Sequence, residues 1–249
     1  MPSPLNLNDT FGAFLIGIIV STMLFGMTCI QTFYYFQTYS GDNPLVKIFV
    51  SAIFIFGFLH AALSTHAIYH YTITNYLNPK ALLDSVWSFT TLLELSAFTI
   101  FVVHLFYIWR VYYVSRKNIT LVILILVVAF THTAASAVMT FKISQFPHFR
   151  GIPQFLPYIV TTLSLSMATD IFIAGFLSYY LHQGRSGIRK TDTIINRLII
   201  YAINNGLLAC VFIILIMILV STQPEKFIFI GLYVNYSHRK DLTYETSLI

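Results

Sequence analysis

Glu94, Asp170, His60, His132, Asn204 and Asn205 all fall inside long apolar runs, where polar side chains are scarce. An ionisable group at the centre of a membrane span costs about 2.5–3.5 kcal/mol on insertion scales. It therefore faces protein or water, and often marks an ion path, a proton relay or a ligand site. With each run centred on the bilayer and a rise of about 1.5 Å per residue, Glu94, His60 and His132 come out near the midplane. Asp170 lies a little to one side, at the same depth as Asn204 and Asn205. A short loop joins the two runs that carry them, so the runs should be antiparallel neighbours and Asp170 is expected to hydrogen-bond to Asn204 or Asn205. The first reading of such a contact is interhelical glue, worth about 0.6–2 kcal/mol; the second is a ligand, ion or proton site. For Glu94 the two readings stand level, since burial can simply keep a carboxyl protonated.

The histidines raise metal chemistry. His66 and His70 are four residues apart, share a helix face and supply two metal ligands. A working site needs a third, and His60 stands about 80° round the helix from His70 and more than two turns away. A solvated histidine near the end of a span is the plainer reading of His70. A bis-histidine haem would need His60 and His132 to face one another. No nucleophile, base and orienting acid can be placed together from spacing, and Ser and Thr in spans commonly serve helix packing. Cys29 and Cys210 fall in apolar runs, with no zinc-type spacing and no disulfide framework. No catalytic residue, metal or cofactor is assigned.

The elements that position these groups follow from composition. Hydrophobic residues make up 57% of the 249 positions and charged residues 9%, against about 25% charged in soluble domains. The chain cannot cover itself with polar surface in water. A hydrocarbon core about 30 Å thick needs about 20 helical residues to cross it, and six stretches are long enough: 12–36, 46–72, 82–109, 119–141, 154–181 and 195–221. Pro, Gly, Asn and Asp cluster between them, as helix ends require. A seventh stretch, 227–236, would reach only about 15 Å as a helix, and the chain turns polar from Ser237. The expected fold is an all-α transmembrane bundle over 1–236, with six full spans, a shortened seventh and a polar tail at 237–249. Residues 1–10 hold Asp9 and no Lys or Arg, which argues against a cleavable signal.

Basic residues set the orientation. The connections after the first, third and fifth stretches hold Lys47, Arg110, Arg116, Lys117, Arg185, Arg189, Lys190 and Arg197; the opposite side holds Lys80, Lys142, Arg150 and Lys226. Eight against four favours an outside or lumenal N-terminus and a cytosolic loop from Arg185 to Arg197, anchored against anionic lipid headgroups or docking a cytosolic partner. Asp192 is expected to cap the helix that follows. Because the cations sit in loops between apolar runs, the net charge of +5 gives no case for nucleic-acid binding. Tyr34, Tyr35, Trp87, Trp109, Tyr112, Tyr113, Tyr179 and Tyr180 cluster near span ends, where such rings meet headgroups. Glycosylation sequons stand at Asn8, Asn118 and Asn235. The first two are expected to be unmodified, and the third depends on where the C-terminus lies.

Several local patterns recur in a set order. The first half offers Gln31-Thr32-Phe33-Tyr34-Tyr35-Phe36, His60, His66-Ala67-Ile68-Tyr69, Trp87-Ser88, and Arg110-Val111 before Ser115-Arg116-Lys117-Asn118. The second half offers Asp170, Tyr179-Tyr180-Leu181, Arg185-Ser186-Gly187, Thr191-Asp192, Asn196-Arg197-Leu198 and Asn204-Asn205-Gly206-Leu207-Leu208. Together, over about 12–236, they resemble a fungal family of multi-pass membrane proteins, domain of unknown function 6534. The resemblance implies a seven-helix fold and no established activity. Gly57 stands where the family often has an aspartate, so an Asp–His couple with His60 is missing, and Asn205 stands where Thr is common. The family's last helix continues to a Tyr-x-Asn-Ser-Leu-Leu-like end; this chain departs from it after Asn235, which implies an incomplete final span.

The leading functional reading is a seven-helix sensor or receptor-like protein with a small-molecule ligand. Rhodopsin-like marks are missing: no acid precedes Arg110, and no Asn-Pro-x-x-Tyr occurs near the end. The second reading is a transporter or channel for a small solute or protons, its path lined by Glu94, Asp170 and the central histidines, although no inverted repeat is evident. An intramembrane metal-dependent enzyme comes third.

Overall fold

The computed structural model describes residues 12–75, 84–145, 152–185, 189–224 and 226–246. Seven helices follow one another: α1 (Ala13–Thr38), α2 (Pro44–Tyr69, prolonged by a π-helical turn His70–Thr74), α3 (Trp87–Val114), α4 (Ile119–Gln145), α5 (Ile152–Gln183), α6 (Arg189–Thr222) and α7 (Ile228–Thr246). Among the described residues there is no β-strand. Local sequence chemistry accounts for several helix ends. Pro44 opens α2 where a missing N–H costs nothing, and the Asn43 side chain accepts the Leu45 N–H at 2.9 Å. Between α3 and α4 the chain reverses through Arg116 and Lys117, both left-handed at φ 56° and 65°. The Lys117 N–H there closes back onto the Tyr112 carbonyl at 2.9 Å, satisfying a helix-end acceptor without a glycine.

Six helices, α1 to α6, are long and apolar enough to cross a membrane. Each packs on its chain neighbours, and α7 closes the ring against α1 and α6. α3 also reaches α5 and α7, so it is the inner helix of the six. Of its most hydrophobic window 56% is buried, against 22–28% for the other five. Their remaining surface is greasy: Ile16, Met23, Ile30 and Phe33 on α1, Phe130 and Phe141 on α4 and Leu207 on α6 are exposed. A water-soluble fold hides such side chains. A bilayer is the solvent that accepts them, and the chain is a multi-pass membrane protein.

α7 inverts the pattern. Tyr236, Ser237, His238, Lys240 and Asp241 are all buried. The expected polar tail is thus corrected: residues 237–246 continue the seventh helix, and 247–249 lie outside the described residues. Apolarity marks helices that face lipid. A helix enclosed by others is free to be polar if its groups find partners. At 19 residues α7 is about 28 Å long, close to a full hydrocarbon thickness.

α7 runs parallel to α1, held by small residues. A Cβ on Gly17 would lie 2.5 Å from the Gly231 Cα, so only glycine permits this crossing. The Asn235 amide then donates to the Gly17 carbonyl at 3.0 Å and to the Gly231 carbonyl at 2.7 Å. Other sequence-level bounds shift as well, and α3 begins at Trp87, inside the expected 82. α3 runs five residues past the expected 109, α4 four past 141, and α6 begins at Arg189 instead of 195. Asp192 therefore sits in the first turn of α6 and does not cap it; a carboxylate there still complements the helix dipole.

Candidate functional site

α5 and α7 each present a pair of polar side chains at i, i+4 spacing, which places both on one face. Ser166 and Asp170 come from α5, Tyr236 and Lys240 from α7. Asp170 is their hub. Its Oδ1 accepts from the Lys240 ammonium at 2.9 Å and lies 3.0 Å from Nε2 of His104 on α3. Its Oδ2 accepts from the Tyr236 hydroxyl at 3.1 Å, and Ser166 Oγ stands 3.1 Å from that hydroxyl. All five side chains are buried. Lys240 Nζ is also 2.9 Å from His104 Nε2, so three polar atoms touch in a triangle. One imidazole nitrogen cannot donate to Asp170 and accept from Lys240 together, and the tautomer selects which contact is a hydrogen bond. Either way His104 Nδ1 is buried without a partner. The His132 ring lies 6.3 Å from the His104 ring and forms the α4 side of the cluster.

Four of these residues, Ser166, Asp170, Tyr236 and Lys240, lie on the last three helices. Residues 166–247 match the family of unknown function DUF6534. Comparison with curated proteins and with solved structures returned no match. The DUF6534 match continues past Asn235 to residue 247, so the second half of α7, which sequence reasoning set aside, lies within it. That half carries Lys240.

Beside the hub is a partly open cleft of about 50 Å³, bounded by Val103, His104 and Tyr107 of α3, Asp170 to Leu177 of α5, Ala202 to Ala209 of α6, and Arg239, Lys240 and Thr243 of α7. It lies in the half of the bundle nearer the α3–α4 and α5–α6 connections, judged by how far these residues stand from the helix ends. Arg239, half-buried, holds its guanidinium carbon 5.4 Å from the Phe212 ring centroid. Its Nε is buried with no hydrogen-bond partner.

The structure separates the residues that the sequence grouped. Asp170 does not bond to Asn204 or Asn205; α6 approaches α5 closely at Gly206, where a Cβ would meet the Ala174 Cβ at 2.7 Å. At about 100° per residue, Asn204 is turned away from α5 and is exposed, while Asn205 is half-buried and lines the cleft. His60 belongs to a second cluster. Its Nε2 is 3.0 Å from Ser96 Oγ, and its ring meets that of His238 at 4.4 Å, edge to face. His60 and His132 thus contact different histidines, and no haem-type pair forms between them. Glu94 is half-buried near Thr140 and Tyr233, ten residues along α3 from His104 and so about 15 Å away.

The weak metal candidates are engaged separately. His66 Nδ1 is 2.9 Å from Ser88 Oγ, and His70 Nε2 is 3.0 Å from Asn75 Nδ2. Among the described residues no three His, Cys, Asp or Glu side chains are placed to share a metal ion. On the basic loop, Arg185 and Arg197 are exposed, and Arg185 donates to the Asn196 side chain. Arg189 and Lys190 fall in the first turn of α6.

Sequence reasoning missed His104, Tyr236, Lys240 and Arg239. His104 carried the same signal as His132, an ionisable group inside a span. Tyr236 and Lys240 carried a helical i, i+4 spacing, and Arg239 stands beside them; all three were hidden because 237–249 lacks the apolarity that marks a span.

Proposed function

We propose that the chain is a seven-helix, sensor or receptor-like membrane protein that holds a small polar solute in the cleft beside Asp170 and Lys240. One observation supports this above the rest: a cleft inside the bundle ends on the buried Asp170–Lys240 ion pair and the His104 imidazole beside it. Clefts with apolar walls and a few convergent polar groups are where ligands bind. The triad also includes Lys240 of α7, a helix that touches α1, α2, α3 and α6. A solute that binds one placement of α7 more tightly than another shifts the bundle between them, the minimum a sensor requires. With eight basic residues on one side and four on the other, the N-terminus is outside and the cleft in the cytosolic half. Arg185, Arg189, Lys190 and Arg197 then lie against anionic headgroups.

The test is thermal unfolding of the purified chain in detergent against a panel of small polar solutes. Stabilisation by at least one of them, abolished by Asn205→Phe, is expected; a flat response across the panel removes the reading. A transporter or proton path is the second reading, favoured by the contact of Asp170, Lys240 and His104 within the spans. Uptake into sealed liposomes, lost in Asp170→Asn, would favour it over the first.

A further inference from the structure

The charges around the cleft do not balance. Among its lining residues Arg239 and Lys240 are cations and Asp170 is the one acid. Both Asp170 oxygens are already engaged, Oδ1 by Lys240 and His104, Oδ2 by Tyr236. Among the described residues no carboxylate lies within ion-pair distance of Arg239, and its Nε is buried without a hydrogen-bond partner. Asp241, two residues further along α7, turns to His238 at 3.5 Å. A buried Nε–H without an acceptor is costly, and a guanidinium presents a fork of donors that matches a carboxylate. The rest of the wall is aliphatic: Val103, Ile173, Ala174, Leu177, Ala202 and Ala209.

We propose that this cleft binds a short aliphatic monocarboxylate, its carboxylate held by Arg239 and Lys240 and its tail against the α5 and α6 wall. This rests on reading the cleft as a ligand site and names the chemistry of the ligand. One excess positive charge fits a monoanion. A second carboxylate would have to lie against aliphatic side chains or repel Asp170. The space, about 50 Å³, suits a few non-hydrogen atoms. Asn205, half-buried at the rim, supplies an amide donor to the second carboxylate oxygen.

The test is isothermal titration of the full chain in neutral detergent with sodium propionate, sodium chloride, sodium succinate and propionamide at matched ionic strength. Propionate should bind, and Arg239→Gln should weaken it about tenfold. Asn205→Phe, which places a ring in the cleft from a half-buried position, should abolish binding. Helical circular dichroism and a single elution peak confirm that each variant is folded. If Arg239→Gln does not fold, Asn205→Phe together with the succinate arm carries the test. Binding of chloride or succinate as tight as that of propionate overturns the proposal, as does propionate binding indifferent to both variants. If propionamide binds and propionate does not, the carboxylate assignment falls and the cleft remains a ligand site. If no solute binds in a way that Asn205→Phe removes, both fall.

Discussion

Asp170 and Lys240 meet inside the bundle at 2.9 Å with both side chains buried, so a variant that removes one charge strands the other in a medium of low polarity. Breaking a buried pair from one side typically costs about 3–5 kcal/mol, whereas replacing both partners with neutral groups of similar volume is far milder. Asp170→Asn and Lys240→Met should each lower the unfolding temperature in detergent strongly, and the double variant should recover much of the loss. Additive losses in that double-mutant cycle would mean that the two groups are not energetically coupled. The acid was legible in the sequence as a costly group in a span, and its partners were not. Depth along a helix can be read from residue number, but rotation toward a neighbour is set by the contact surface. Here α6 approaches α5 closely at Gly206, with Asn204 turned outward and Asp170 bonded to α3 and α7.

At the scale of elements, the crossing of α1 and α7 depends on backbone meeting backbone. A side chain at Gly17 would strike the Gly231 Cα at 2.5 Å, and backbone atoms have no alternative rotamer to offer. Gly17→Leu should therefore separate the two helices and lower stability well beyond Gly26→Leu, whose Cβ meets nothing within 4 Å; comparing the two by thermal unfolding checks it. Asn235 is the clasp of the same crossing, with its amide nitrogen bonded to two carbonyls. Its sequon should therefore carry no glycan, and endoglycosidase treatment should leave the mobility of chain expressed in a eukaryotic host unchanged. The six apolar spans were legible because facing lipid requires unbroken apolarity. α7 was only half legible for the converse reason. Its partners are the other helices, and nothing in a one-dimensional hydropathy profile distinguishes a buried polar helix from a solvated tail. The i, i+4 pair Tyr236 and Lys240 was the signal available.

For the whole molecule, the direction of α7 determines the topology. Gly231 lies beside Gly17, and His238 beside Phe25 with ring centroids 5.9 Å apart. The two helices thus advance together, and α7 ends on the side where α1 ends. Seven crossings are therefore expected, with Thr246 on the face of the α3–α4 and α5–α6 connections, opposite the start of α1. In a background with Cys29 and Cys210 replaced by Ala, Asn118→Cys and Arg185→Cys should react with a membrane-impermeant maleimide from the same side of sealed vesicles. Gln223→Cys, at the α6–α7 turn, should react only from the other, since all three positions are exposed. An epitope fused after Ile249 should be protected or cleaved together with Arg185→Cys labelling. Should the epitope instead track Gln223→Cys, α7 would enter and leave on one face. The buried pair of Asp170 and Lys240 would then need an arrangement of α7 other than the one that brings them within 2.9 Å.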